Sequence, residues 1–172
     1  MSSTYDRISR ERGTLERLIG KIPGYRGYKE KEMRREADRL LREALTRDFA
    51  AQLDRITLVQ NRVLDTLGLE WMSDFGAVKT ALQTLIDRIR FAPQGYAGFF
   101  DAIRVKEDDL DALEAFDLQL VDQLPRVSAA IDALDTAASD PVALKQALND
   151  LAVVIQSIAQ LFAQRSKVIT GL

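Results

Sequence analysis

"RDFAAQLDRITLVQNRVLDTLG", residues 47–68, decides the fold. Its apolar residues Phe49, Leu53, Ile56, Val63 and Leu67 share one side of an α-helix, and nothing in the stretch alternates as a strand would. Gly68 then supplies the residue best suited to the left-handed turn that closes a helix. Traced backwards, the same helix reaches about residue 28, a rod on the order of 60 Å at about 1.5 Å per residue. Its first half places Met33, Leu40, Leu41 and Ala44 on a face rotated by roughly 100° from the second. Two neighbours along one rod would produce that rotation, as would a bend or a wider burial.

The rest of the chain follows the same period. A shorter helix is expected over about 4–19, with Tyr5, Ile8, Leu15, Leu18, Ile19 and then Ile22 on one side. Another runs from about 74 to 91 behind Ser73 as its cap, carrying Phe75, Val78, Leu82, Leu85, Ile86 and Ile89. A fourth spans about 106–137, where Pro125 should bend or split it by removing a backbone hydrogen bond. The last is the most clearly signalled, because Asp140 can cap it and Pro141 suits its first position. It should continue to about 168.

These elements predict an all-α fold: an elongated antiparallel up-and-down bundle of about five helices in four columns, forming one domain over residues 1–172. The first and third helices would share one column, each covering half of the long second helix. With 47% hydrophobic and 29% charged residues, the 172-residue chain has a soluble globular composition. Its longest apolar run, "LAVVI" at 151–155, is far short of a membrane span. The N-terminal "MSSTYDRISRERG" lacks the apolar centre of a secretory signal, and there is no cysteine, so the expected compartment is the cytoplasm.

Missing residue types narrow the function. The chain has no histidine and no cysteine, which removes Ser-His and Cys-His dyads, the usual zinc sites and Glu-x-x-His di-iron sites. "KEDDLDALEAFD" (106–117) is rich in carboxylates but lacks the glycine and alternating spacing of a calcium loop. "GKIPG" (20–24) lacks the spacing of a phosphate-binding loop. No catalytic residue, metal site or cofactor is therefore assigned, and the chain is read as a non-enzyme.

Charge is unevenly divided. Residues 1–47 hold 13 Lys/Arg against 8 Asp/Glu, whereas 48–172 hold 11 against 18, so the two parts should attract. On the long helix Lys31, Arg35, Arg39 and Arg42 form a stripe opposite the first-half apolar face, expected in water and supported by pairs such as Glu30–Arg34, Asp38–Arg42 and Glu43–Arg47. The stripe is either a solvated face or a ridge for an acidic partner or an anionic membrane surface. Interleaved acids and a net charge of −2 disfavour nucleic acid. Asp117, between Leu113 and Leu120, falls inside an apolar arc. It needs an Arg partner or donors from a glycine-tyrosine loop, unless it sits at a rim open to solvent.

Two loops share one chemistry. "IPGYRGY" (22–28) and "FAPQGYAGFF" (91–100) each combine proline, glycine and tyrosine ahead of a charged helix. Glycine permits close backbone approach, and tyrosine adds a flat apolar body with a polar tip. Either the rings seal the ends of the bundle, or Tyr25, Tyr28, Tyr96, Phe99 and Phe100 form an exposed patch for a partner.

"IPGYRGYKEKEMRREADRLLRE" (22–43) and "RIRFAPQGYAGFFDAIRVKEDDLDALEAFD" (88–117) resemble the signature stretches of a family of uncharacterised bacterial all-helical proteins. The resemblance covers about 50 of the 172 residues and implies a bacterial, intracellular helical protein without a known activity or cofactor. The resulting expectation is a non-catalytic protein-protein interaction or scaffold module, whose partner is another protein or a second copy of itself. The alternative is a peripheral adaptor that binds an anionic membrane surface through the basic N-terminal part. No small-molecule substrate is expected.

Overall fold

The computed structural model describes residues 28–92 and 107–170, and every described segment is helical apart from short turns. Four α-helices are present among the described residues: α1 (Tyr28–Leu67), α2 (Met72–Phe91), α3 (Glu107–Thr136) and α4 (Pro141–Thr170). The helix expected over 4–19 lies outside the described residues, as do Tyr25, Tyr96, Phe99 and Phe100.

The fold is an all-α, up-and-down bundle. Each helix carries the same buried repeat, with alternating steps of three and four. On α1 it runs Leu45, Phe49, Gln52, Ile56, Val59 and Val63; on α2, Phe75, Val78, Leu82, Leu85 and Ile89. On α3 the series is Leu120, Leu124, Val127, Ile131 and Leu134, and on α4 it is Leu144, Leu148, Leu151, Ile155, Ile158 and Phe162. A mean step of 3.5 keeps one seam of each helix turned to its neighbours, as in coiled-coil packing. Each large side chain removed from water in this way contributes about 1.5–3 kcal/mol before chain entropy is charged against it. The seam therefore holds the four rods together.

Packing order follows from the helix contacts. α1 lies between α2 and α3, and α4 touches the same two from the opposite corner. α1 and α2 are joined by a tight turn and run antiparallel, as do α3 and α4. Between the two hairpins the direction is different. Arg55 donates to Ser128 at 2.9 Å and is ion-paired with Asp132, Arg62 is paired with Asp135, and the Thr66 hydroxyl donates to the Ala138 carbonyl at 3.0 Å. Residue numbers rise together along this seam, so α1 and α3 are parallel neighbours. Both inter-helix ion pairs belong to residues 48–172, so among the described residues they do not join the basic and acidic parts of the sequence.

Both tight turns lie at one end of the bundle, here called the closed end. Gly68 has φ +90° and ψ −166°, a conformation reserved in practice for glycine, and its N–H reaches the Val63 and Leu64 carbonyls at 3.2 Å. A one-turn 3₁₀ segment, Leu69–Trp71, leads straight into α2. Ser73 consequently lies inside the first turn of α2 and is not its cap; Trp71 holds that place without a side-chain hydrogen bond. At the other turn the Asp140 carboxylate accepts from the N–H groups of Val142 at 2.9 Å and Ala143 at 3.1 Å, with Pro141 at the first helical position. Pro125 does not split α3, which is one continuous helix with the proline exposed. Its missing N–H is tolerated at a position turned to solvent.

No helix among the described residues is long and apolar enough to cross a membrane.

Candidate binding recess at the open end

At the opposite end the described helices are unequal in length. α2 has 20 residues, against 40 in α1 and 30 in each of α3 and α4, so α1 continues past the point where α2 stops. The step between them leaves a recess of about 530 Å³. From α1 it is lined by Arg39, Arg42, Glu43, Thr46 and Arg47, and from the last turn of α2 by Arg90, Phe91 and Ala92. Among the described lining residues, four arginines stand against one carboxylate.

The buried repeat explains how these groups come together. Continued towards the open end, the α1 series steps from Leu45 back to Arg42, and the α4 series steps from Phe162 on to Arg165. Both arginines are buried, at 8% and 2% exposure. The seam thus changes from apolar to cationic as it leaves the region covered by α2. Arg42 Nη1 donates to the Ala92 carbonyl at 2.7 Å, placing a positive charge at the C-terminal end of α2, where the helix dipole is negative. The Arg165 guanidinium lies over the Phe162 ring, 5.9 Å from its centroid.

This corrects the sequence reading of Arg42, which was expected in water and lies inside. Its position was assigned from the first-half apolar face, which itself needs revision: Leu40 is 43% exposed, and Leu41 and Ala44 are half-buried. Arg39 behaves as expected. It is exposed and pairs with Glu43 at 2.7 Å, one helical turn away. Arg47 Nε reaches Asp48 at 3.4 Å rather than forming the anticipated pair with Glu43. Tyr28, Lys31 and Arg35 lie on the first turns of α1, and Asp117 lies on α3, with side chains outside the described residues.

Asp48, Gln52 and Arg165 are buried polar residues that reading apolar residues alone does not find. Extending the three-four repeat through polar positions places Gln52 and Arg165 on the seam. Gln52 accepts a hydrogen bond from Arg55 Nη1 at 2.7 Å, so its seam position is polar but satisfied. Asp117, three residues before Leu120, falls at the same repeat position on α3.

Among the described residues, two side chains at the recess have no hydrogen bond or ion pair: that of Arg90 and the buried hydroxyl of Thr46. Phe91 is 76% exposed at the rim. The arrangement offers converging positive charge, unused donors and an apolar lip, which together suit a negatively charged group presented from outside.

No family model, curated protein or solved structure matches the chain.

Proposed function

We propose that this protein is a non-catalytic interaction module, a helical scaffold that docks a protein partner at its open end. The observation that carries this reading is the recess, where Arg39, Arg42, Arg47 and Arg90 from two helices surround one space beside the exposed Phe91 ring. Such a surface recognises acidic groups by charge-assisted hydrogen bonds. The absence of histidine and cysteine from the sequence favours binding over catalysis. The resemblance in the two glycine-tyrosine stretches points to a bacterial protein, and the lack of cysteine suits the cytoplasm.

Two exposed apolar positions at opposite ends, Phe91 and Val142, provide the test. A photo-crosslinking residue placed at 91 should capture a discrete protein in cells, and Arg39→Glu with Arg90→Glu should abolish capture while helix content is unchanged. Equal capture from position 142, or none from 91, defeats the reading. Sedimentation with anionic vesicles that is lost in high salt, without protein capture, would replace it with the membrane adaptor.

A further inference from the structure

We infer that the outer face of α4 is a self-association surface, on which a second copy of this chain lays its own α4 antiparallel about Val153. The surface lies on another helix from the residues described around the recess, so it stands independently of the open-end reading.

α4 carries two three-four repeats, and one of them turns away from the core. It is two residues out of step with the buried series, hence about 200° around the helix, and runs from Val142 to Ala163 with Val153 at its centre. Every residue on it is exposed, Val142 at 82% and Val153 at 64%. A mean step of 3.5 keeps this line in register over about six turns, as it does the core seam. Residues 151–164 contain no charged side chain, whereas equal spans hold Asp54, Arg55 and Arg62 on α1 (51–64) and Asp122, Arg126 and Asp132 on α3 (119–132). α2, which packs beside α4, has only Lys79 between Phe75 and Ile86, and that ammonium donates to Gln60 of α1 at 3.0 Å. Depletion of charge marks the core of a protein interface rather than a solvated face.

What selects a second copy is the order along the line. Read outwards from Val153, the residues are Asn149, Gln146 and Val142 in one direction and Gln156, Gln160 and Ala163 in the other: amide, amide, apolar both ways. An antiparallel copy therefore sets Asn149 against Gln156, Gln146 against Gln160 and Val142 against Ala163, with Val153 meeting itself on the two-fold axis. Each amide offers a donor and an acceptor, so opposed amides pair reciprocally, and apolar layers exclude water at the centre and both ends. Gln146 Nε2 donates to Asp150 at 2.8 Å, which engages the only carboxylate on α4 and leaves the Gln146 carbonyl oxygen to accept from Gln160 of the second copy. A parallel copy would bring Lys145 beside Lys145 and Asp150 beside Asp150, like charges that antiparallel pairing separates.

Sedimentation of the full chain over a concentration series tests this. A reversible monomer-dimer equilibrium is expected, and Val153→Glu, which puts two carboxylates on the axis, should weaken it about tenfold or more. Leu58→Glu, at a comparably exposed apolar position on α1 (67%), should leave it within about twofold. Because the chain has no cysteine, introduced thiols read the register separately. Under mild oxidation Val153→Cys should link to its own copy, and a mixture of Asn149→Cys with Gln156→Cys should link far better than either variant alone. A full chain that stays monomeric, with the face left to solvent or to a different protein, overturns the inference. So does a dimer that survives Val153→Glu, or one in which Asn149→Cys links to itself as readily as to Gln156→Cys. Capture of a second copy from position 142 is this contact; capture there of a different protein still counts against the open-end reading.

Discussion

The two ends of this bundle obey the same three-four repeat and differ in what fills it. At the closed end the seam stays apolar to the last turn, with Val63, Phe75, Leu134 and Leu144 all buried, and the chain reverses twice on specific turn chemistry. At the open end the same positions become Arg42 and Arg165, and among the described residues α2 ends before α1 does. Burial of apolar side chains is best served by uniform rods of equal length. The departure is concentrated at the end that also holds the recess, which separates a stabilising region from one suited to contact.

That contrast can be broken by mutations ordered by expected cost. Phe75→Ala, at a fully buried closed-end position, should lower unfolding free energy by about 3–5 kcal/mol in urea titration. A value below about 1 kcal/mol would mean that the closed end is not tightly packed. Gly68→Ala should cost about 1–3 kcal/mol, because the backbone must hold φ +90° with a side chain attached. Space is not the reason, since an added Cβ would meet no atom within 4 Å. Asp140→Ala should cost about 1 kcal/mol through loss of the two cap hydrogen bonds, with Asp140→Asn retaining most of it. Arg90→Ala, by contrast, should stay within about 0.5 kcal/mol of the parent, since the exposed side chain makes no ion pair among the described residues. A large destabilisation there would show that the open end is as structural as the closed one and erase the distinction.

The closed end was also the more legible in sequence. Helix α1 ended at Leu67 before Gly68, and α4 began at Pro141 under its Asp140 cap, as local chemistry dictated. Ser73 misled because a 3₁₀ turn supplies the start of α2 through the backbone, leaving no need for a side-chain cap. The parallel placement of α1 beside α3 could not be read at all. A short turn forces neighbouring antiparallel helices, whereas the stretch 93–106 is long enough to leave the order of columns open. Arg42 was misplaced for a different reason: a wheel drawn through apolar residues assigns every arginine to the outside. The end of α2 reverses that assignment by offering a carbonyl that needs a donor.

The parallel pairing of two hairpins has a consequence for assembly. Each hairpin closes through contacts near in sequence, and the remaining closure is the docking of one hairpin on the other. Because that step is indifferent to which chain supplies the second hairpin, two molecules that exchange α3–α4 would recover the helix interfaces of the monomer. Shortening the connection between residues 92 and 107 should shift the chain towards such an intertwined dimer, because the reach needed for intramolecular closure is lost first.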